Sequence, residues 1–320
     1  MTALLDVRDL SVAYRGDSAP VEALRSASLC AARGEVIGIV GESGCGKSTL
    51  AAALIMLLAP NATVTGQIAL NGRNVLTLPE PAKRALRGTE IAMIFQDPMT
   101  SFSPVLTLGD QLVDFQHHLR ASRREKRRLA LAMLKKVGIA DAEICLRRYP
   151  HELSGGMRQR AAVAAALLMN PSVLVADEPT TALDVTMEAQ ILHLLRGLRT
   201  EINGAIVIVT HHLGVVGELC DRVYVMYAGQ VVEEGPVDDI YHDARHPYTR
   251  ALIACDPASL TRTDKGLPTI PGRPPGLAPP PPGCAFAPRC TMADAMCCST
   301  PPPRVTLSDG RAALCHKVRP

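Results

Sequence analysis

A glycine-rich segment between a predicted strand and a predicted helix constrains the fold of this chain more than any other feature of its sequence. The segment reads Gly41-Glu-Ser-Gly-Cys-Gly-Lys47-Ser48-Thr49, after the apolar run 35–41 and before the apolar run 50–58. This is the phosphate-loop pattern, in which glycines let backbone N–H groups turn inward and the helix N-terminus favours negative charge. It predicts that Lys47 contacts the β- and γ-phosphates of a nucleotide and that the Ser48 hydroxyl binds Mg²⁺. The other predicted phosphate-binding residues are Gly41, Ser43, Gly44, Cys45, Gly46 and Thr49.

Size and charge exclude several classes of protein. The 320 residues suffice for about two domains. Lysine plus arginine (34) nearly balances aspartate plus glutamate (31), so the net charge of +3 gives no strong field for holding nucleic acid. The longest apolar runs, 50–59 and 161–169, are far shorter than the ~20 residues of a membrane span, and the N-terminal segment lacks the features of a signal peptide. We therefore predict a cytoplasmic protein with no membrane span and no nucleic-acid partner.

Up to about residue 255, strand-like and helix-like patterns alternate, which indicates an α/β fold with a largely parallel core sheet covered by helices. An N-terminal antiparallel β subdomain is also predicted, because segments 4–12 and 67–75 alternate in polarity and Asn71-Gly72 is a strong hairpin signal. From about 101 to 165 the sequence is helical and charged, which predicts an inserted helical subdomain. The predicted buried strands are 35–41, 91–95, 172–176 and 205–209.

Prolines and cysteines are concentrated near the C-terminus. Thirteen of the 25 prolines and five of the ten cysteines lie between residues 268 and 320. This shift predicts a Pro/Gly-rich linker over 256–283 and a small irregular cysteine-rich extension over 284–320, after a main domain at 1–255. Clustered thiols in a cytosolic protein favour metal binding or free cysteines over disulfides. The spacing lacks close Cys-x-x-Cys pairs, so zinc, an iron–sulfur cluster and no metal at all remain open.

A second apolar run ends in two successive carboxylates. It reads Ser172-Val-Leu-Val-Ala-Asp177-Glu178-Pro179, which is the Walker B arrangement. Asp177 is predicted to hold Mg²⁺ and Glu178 to polarise the attacking water. Because neighbouring side chains on a strand point to opposite sides, the two acids need not compete for one role.

A serine and two glycines predict a second helix N-terminus able to meet an anion, in Leu153-Ser154-Gly155-Gly156-Met-Arg-Gln-Arg160. This segment resembles the signature motif of ABC ATPases. In that family two cassettes pack head to tail, and the signature serine and glycines of one close over the γ-phosphate held by the other. The resemblance implies that Ser154, Gly155 and Gly156 bind ATP in trans.

Four more residues resemble ABC ATPase positions, in the family's order along residues 1–255. Tyr14 resembles the aromatic residue that stacks on adenine. Gln96 resembles the glutamine that senses Mg²⁺ and the attacking water and leads into the helical subdomain. Asp184 resembles the residue that crosses the dimer interface, and His211 the switch histidine at the γ-phosphate. With these residues, the resemblance implies that Lys47, Gln96, Glu178 and His211 form the catalytic set.

Further segments are similar to the ATPase subunits of bacterial dipeptide and oligopeptide importers: Gln96-Asp-Pro-Met-Thr-Ser, Met157, His246-Pro-Tyr-Thr-Arg-Ala-Leu252, Ile270-Pro-Gly and Gly283-Cys-Ala-Phe-Ala-Pro-Arg-Cys290. This resemblance implies a peripheral subunit on the cytoplasmic face of the membrane, paired with a sister ATPase. The methionine at 157 resembles the first, D-type, member of such a pair. The implied partners are two transmembrane permease subunits and an extracytoplasmic peptide-binding protein. Related importers carry nickel chelates or glutathione, so the substrate stays open.

Some importer ATPases of this group carry a [4Fe-4S] cluster in the C-terminal extension. The resemblance therefore implies a cluster held by Cys284, Cys290, Cys297 and Cys315, with Cys298 and His316 as substitutes. The chain also departs from the family: Cys45 stands where serine is common. Since a thiol at a helix N-terminus can have a lowered pKa, oxidation of Cys45 could block nucleotide binding.

Two other functions compete with this interpretation. A soluble ABC ATPase of DNA repair or translation commonly has two cassettes or a long insertion between phosphate loop and signature, whereas only about a hundred residues separate Lys47 from Ser154 here. A regulatory nucleotide-binding module without turnover would not need both Glu178 and His211.

Overall fold

The computed structural model describes residues 3–16, 19–98, 100–181, 185–199, 202–256, 268–276 and 281–320. The chain divides into two compact units. The first comprises Met1–Ala31, Glu35–Thr77 and Ile208–Pro320, and the second comprises Ala32–Gly34 and Leu78–Val207. Within the described parts of the chain, no helix is both long and apolar enough to cross a membrane.

The strands and helices are numbered in chain order. The strands are β1 (Leu5–Tyr14), β2 (Val21–Ala31), β3 (Val36–Val40), β4 (Ala62–Leu70), β5 (Arg73–Asn74), β6 (Ile91–Ile94), β7 (Val173–Asp177), β8 (Ala205–Thr210), β9 (Arg222–Tyr227), β10 (Gln230–Pro236), β11 (Arg304–Thr306) and β12 (Ala312–Leu314). The helices are α1 (Lys47–Leu54), α2 (Glu80–Leu86), α3 (Leu108–Phe115), α4 (Arg123–Lys136), α5 (Ala142–Cys145), α6 (Gly155–Leu168), α7 (Val185–Leu198), α8 (Leu213–Leu219), α9 (Val237–Asp243), α10 (Pro247–Ala254) and α11 (Ala295–Ser299). The predicted buried strands correspond to β3, β6, β7 and β8, within one residue at each end.

The N-terminal sheet of the first unit is antiparallel, with the order β2-β1-β4-β5. Its last two strands are joined by the predicted hairpin. Asn71 and Gly72 have φ angles of 50° and 76°, and Leu70 pairs with Arg73. Two successive residues with positive φ make the turn whose twist matches that of the flanking strands, which is why Asn-Gly is favoured there.

A second group of strands in the first unit has the order β3-β9-β10-β12-β11. β3 and β9 are parallel, and the remaining pairs are antiparallel. Ala228 and Gly229 form a two-residue hairpin between β9 and β10, again with positive φ at both positions. The pairing of Glu233 with Ala313 connects the C-terminal extension to β10, so this extension contributes two strands to the sheet.

The hydrophobic core beside this sheet also includes the C-terminal extension. Val40, Val225 and Tyr227 from β3 and β9 pack in one buried cluster with Ala285 and Phe286. The side chains of β3 are all buried, as expected for a strand with both faces covered. The burial of Phe286, which is 3% exposed, anchors the extension by hydrophobic packing.

The second unit contains the parallel pair β6 and β7 and most of the helices. β8 begins in this unit and ends in the first one. α3, α4 and α6 pack against one another, and α6 also packs on β6. The helices start at capping side chains: Thr107 Oγ1 accepts from Asp110 N, and Ser122 Oγ accepts from Glu125 N, both at 3.2 Å. The helical character predicted for this part of the sequence is confirmed for α3, α4 and α6.

Candidate active site

The phosphate loop of the first unit leads from the end of β3 into α1. Gly46 precedes the first helical residue with a φ of 105°, and a Cβ there would lie 2.4 Å from the Ala23 carbonyl oxygen. A Cβ on Gly41 would lie 2.2 Å from the carbonyl oxygen of Met226. Both positions therefore require glycine, because neighbouring backbone fills the space that a side chain would need.

Lys47 is buried within this loop at the N-terminus of α1. Its ammonium Nζ donates to the carbonyl oxygens of Gly41 at 2.7 Å and Glu42 at 3.1 Å. Ser43, Gly44 and Ser48 are exposed, with Ser48 in the first turn of the helix. A cation inside a glycine loop, beside the N-terminus of a helix, is an arrangement suited to a phosphate group.

Cys45 is buried in the same loop, at 5% exposure. Burial raises the pKa of its thiol, and the opposing influence of the nearby Lys47 charge is smaller. The expectation of a lowered pKa at this helix N-terminus is therefore wrong, since desolvation outweighs the favourable charge. The thiolate needed for rapid oxidation is disfavoured at this position.

Tyr14 and His211 are the other predicted nucleotide-contacting residues of the first unit. Tyr14 is the last residue of β1, is half-buried, and pairs with Val21 on β2 and Ala62 on β4. His211 is exposed directly after β8, and its ring centroid lies 4.2 Å from that of His212. Both side chains thus lie at strand ends, where they are accessible.

The two acids of the second unit differ in environment. Asp177 is the last residue of β7 and is buried, whereas Glu178 leaves the strand with a φ of 45° and is half-buried. Glu178 Oε2 accepts from Gln96 Nε2 at 3.1 Å and from Thr181 Oγ1 at 2.7 Å. The fold therefore brings together two residues that were predicted from separate motifs. Asp177 and Glu178 are separated by the backbone turn at Glu178, not by the alternation of side chains along the strand. The contact between Glu178 and Thr181 was not predicted.

The predicted serine cap opens α6 in the second unit. Ser154 Oγ accepts from Met157 N at 3.3 Å, Gly155 and Gly156 form the first turn, and Ser154 and Gly155 are exposed. Sequence reasoning missed Gln159, which is buried and whose Nε2 donates to the Pro179 carbonyl oxygen at 2.7 Å. A single polar residue buried in an apolar helix was the available signal. Asp184 lies outside the described residues.

The motif that begins at His246 contacts the phosphate loop. His246 Nδ1 accepts from Tyr248 N at 3.0 Å and thereby caps α10, and burial lowers the pKa of this imidazole to about 4. The Tyr248 hydroxyl accepts from Glu42 N at 2.9 Å. Tyr248 is fully buried, so this part of the importer-like motif supports the loop from the interior of the first unit.

Four cysteines of the C-terminal extension line one cavity: Cys284, Cys290, Cys297 and Cys315. Burial raises the pKa of Cys284 and Cys315, and neighbouring thiols raise it further. His246 and His316 also line the cavity, whereas Cys298 is exposed and does not. None of the ten cysteines, all of which lie in the described parts of the chain, forms a disulfide bond. Within the described residues, no three His, Cys, Asp or Glu side chains are placed to share a single metal ion.

Solved structures with a similar fold are ATP-binding cassettes. The dimeric cassette MJ0796, in a post-hydrolysis state bound to ADP and Pi, is 28% identical, with a TM-score of 0.66 over 73% of this chain and 98% of that chain. CbiO1 of Clostridium perfringens, part of an ABC transporter complex, is 29% identical, with a TM-score of 0.64 over 76% of this chain and 92% of that chain. With its phosphate loop, paired acids and serine-capped glycine helix, the present chain is an ATP-binding cassette as well.

Sequence comparisons show to which family of ATP-binding cassettes the chain belongs. Residues 24–181 match the family described as ABC transporter, and residues 232–297 match the family described as oligopeptide/dipeptide transporter, C-terminal region. A protein of Sinorhizobium fredii named as a peptide ABC transporter ATP-binding protein is 49% identical over 98% of this chain and 95% of its own length. One of Brucella melitensis named as a peptide import ATP-binding protein is 44% identical over 98% of this chain and 96% of its own length. The chain belongs to the ABC transporter ATPases that carry the oligopeptide/dipeptide C-terminal region.

Proposed function

We propose that this chain is the ATP-hydrolysing subunit that powers the import of peptides through a multisubunit ABC transporter. The observation that carries the proposal is the presence, on one chain, of the ABC transporter match and the oligopeptide/dipeptide C-terminal match. Both relatives described above are named for peptide transport and cover nearly all of this chain. Di- and oligopeptides are the proposed substrate class, with nickel chelates and glutathione as the alternatives.

The proposed assembly contains two cassettes that sandwich ATP between them. The second cassette is a sister ATPase of the F type, and the pair lies beneath two permease subunits on the cytoplasmic face of the membrane. A peptide-binding protein delivers the substrate from outside. We assign 1–255 to the nucleotide-binding domain, about 101–165 to its helical subdomain, 256–283 to a linker and 284–320 to the extension. The dimeric state of MJ0796 supports the sandwich.

ATP binding is assigned to the phosphate loop, with Tyr14 against the adenine and Lys47 on the β- and γ-phosphates. In trans, Ser154, Gly155, Gly156 and Asp184 of this chain would contact the ATP that the phosphate loop of the sister ATPase holds. The hydroxyl of Ser48, the carboxylate of Asp177 and the amide of Gln96 are oxygen donors, which suit Mg²⁺. Bound there with ATP, Mg²⁺ would neutralise phosphate charge.

In the proposed hydrolysis step, water attacks the γ-phosphorus while the bond to the β-phosphate oxygen breaks, which yields ADP and phosphate. Glu178 accepts a proton from the attacking water, and Gln96 and Thr181 orient its carboxylate through the hydrogen bonds described above. Lys47 and His211 stabilise the negative charge of the transferred phosphoryl group. Before this step, closure of the two cassettes on ATP drives the permease subunits to alternate access, and hydrolysis allows the pair to open again.

The variant Glu178→Gln tests this assignment. It keeps a side chain of similar size but cannot take up the proton, so we expect ATP to bind while hydrolysis falls by about 100-fold or more. The closed pair of cassettes should accumulate and be measurable by size-exclusion chromatography with ATP. Near-normal turnover would remove Glu178 from its role. Co-purification with permease subunits distinguishes a transporter ATPase from a soluble ABC ATPase or a regulatory module.

A second proposal concerns the cofactor of the extension: a [4Fe-4S] cluster held by Cys284, Cys290, Cys297 and Cys315. The support is that these four free cysteines line one cavity and that Cys298 lies outside it. A cluster takes each of four thiolates on a separate iron, whereas a single zinc ion would take all four at about 2.3 Å, so the metal content distinguishes the two. The cluster would add to the packing of Phe286 and the pairing of β12 with β10 in holding the extension.

Anaerobic purification tests the cluster. We expect a brown protein with about four iron atoms per chain, reduced iron content in Cys297→Ser and unchanged iron content in the matched variant Cys298→Ser. A colourless preparation without iron, or one zinc ion per chain in its place, would contradict the proposal.

A further inference from the structure

A buried arginine of the C-terminal extension binds the phosphate loop directly. Arg289 ends the short 3-10 helix Ala287–Arg289 and lies between Cys284 and Cys290 in the sequence. Its Nη1 and Nη2 donate to the two carboxylate oxygens of Glu42, at 2.7 Å and 2.9 Å. Glu42 is the second residue of the loop Gly41-Glu-Ser-Gly-Cys-Gly-Lys47. The pair therefore joins two parts of the chain that are 247 residues apart.

The position of this arginine is fixed on every side. Its Nε donates to the Pro271 carbonyl oxygen at 2.8 Å, and Nη2 also donates to that of Ile270 at 3.3 Å. Nη1 also donates to the Tyr227 hydroxyl at 3.2 Å, and the guanidinium lies 6.0 Å from the centre of the Phe286 ring. The side chain is only 4% exposed. Hydrogen bonding to Glu42 raises the pKa of Arg289 above its usual range, so the cation is permanent.

The acidic partner is equally constrained. Glu42 N donates to the Tyr248 hydroxyl, and the Glu42 carbonyl oxygen accepts from Lys47 Nζ at 3.1 Å. The backbone of Glu42 is thus in contact with the very lysine assigned to the phosphates. Its side chain is 24% exposed, so water screens its charge only partly. A carboxylate at this place would repel an anionic nucleotide unless a cation neutralised it.

We propose that Arg289 is a positioning residue of the ATP site: it neutralises Glu42 and holds the phosphate loop open to ATP. The C-terminal extension therefore contributes a positioning residue to the nucleotide site. The Ile270-Pro-Gly segment and the Pro-Arg-Cys segment act together, because the first supplies the carbonyl oxygens that aim the arginine of the second. This proposal rests on the assignment of the phosphate loop to ATP binding.

The test is a double-mutant cycle read as the Kd for Mg-ATP. We expect Arg289→Ala to weaken binding about tenfold, because the Glu42 charge is left unpaired beside the phosphates. Glu42→Gln alone should change the Kd by less than about threefold, and Glu42→Gln with Arg289→Ala should return it to within about threefold of the parent. Arg289→Lys keeps the charge but loses the two-point contact with Glu42, so its Kd should lie between those of the parent and Arg289→Ala. Arg289→Gln also removes the charge and replaces the alanine variant if that variant fails to fold.

Arg311→Ala is the matched control. Arg311 is also a buried arginine of the extension, but it pairs with Asp243 and Asp309, so its loss should lower the Tm and leave the Kd unchanged. If the double variant binds ATP as weakly as Arg289→Ala, or if Arg289→Ala binds like the parent, the proposal is overturned. Lys47→Ala tests the proposed function separately from the role of Arg289. If that variant binds ATP as tightly as the parent, the assignment of the phosphate loop to ATP is wrong.

Discussion

The phosphate loop and the Glu178 loop both follow a buried strand of five residues, yet they are held in opposite ways. The phosphate loop is fixed by backbone carbonyl oxygens on a buried lysine and by the buried side chains of Tyr248 and Arg289. Glu178 is half-buried, and its carboxylate is held by two side-chain hydrogen bonds, one of them from the exposed Gln96. The phosphate loop is thus held by buried groups, whereas the Glu178 carboxylate is held in part by a side chain exposed to solvent.

This difference indicates that the phosphate loop serves ATP binding and the Glu178 loop serves hydrolysis. A preorganised loop lowers the cost of binding a ligand, because little conformational freedom remains to be lost. A half-buried carboxylate with an exposed amide as one of its hydrogen-bond donors is within reach of water. Substitutions in the phosphate loop should therefore change binding, and substitutions around Glu178 should change turnover.

The largest effect is expected for Lys47→Ala. Removal of the buried ammonium leaves the phosphates without their main cation, so the Kd for Mg-ATP should rise by about 100-fold or more and hydrolysis should be lost. Isothermal titration calorimetry measures the Kd, and Lys135→Ala, at an exposed lysine of α4, is the control. If Lys47→Ala bound ATP normally and lost only turnover, the division between the two loops would fail.

An intermediate effect is expected for Gln96→Ala. Glu178 then loses the hydrogen bond from Gln96 Nε2 and Mg²⁺ loses one proposed ligand. We therefore expect kcat for ATP hydrolysis to fall by about tenfold and KM for Mg-ATP to rise by less than that. Thr181→Val should act in the same direction. Steady-state phosphate release gives both constants, and a raised KM with normal kcat would show that Gln96 acts through Mg²⁺ alone and not through Glu178.

The smallest effect is expected for Tyr248→Phe. Glu42 N loses one hydrogen-bond acceptor and the rest of the loop is retained, so KM for ATP should rise by about threefold with kcat unchanged. Tyr241→Phe is the control, since the Tyr241 hydroxyl lies beside Gly217. A drop in kcat with constant KM in Tyr248→Phe would show that the loop contributes to the chemical step.

Much of the fold was predictable because its signals are local. The Asn71-Gly72 hairpin, the Ser154 cap and the glycine loop before α1 each depend on a few consecutive residues whose sterics allow one backbone path. The buried strands were predictable from runs of apolar residues. The raised pKa of Cys45 was not predictable from the sequence, because the degree of burial depends on residues packed from elsewhere in the chain.

Sequence alone predicted which residues contact the phosphates, and the resemblance of its motifs to those of ABC ATPases indicated the family, because each motif depends on a few consecutive residues. Tertiary structure alone decided that Gln96 meets Glu178 across 82 residues, that four cysteines share one cavity, and that Arg289 meets Glu42. The physical reason is that packing of the whole unit sets these distances, and no short stretch of sequence contains that information.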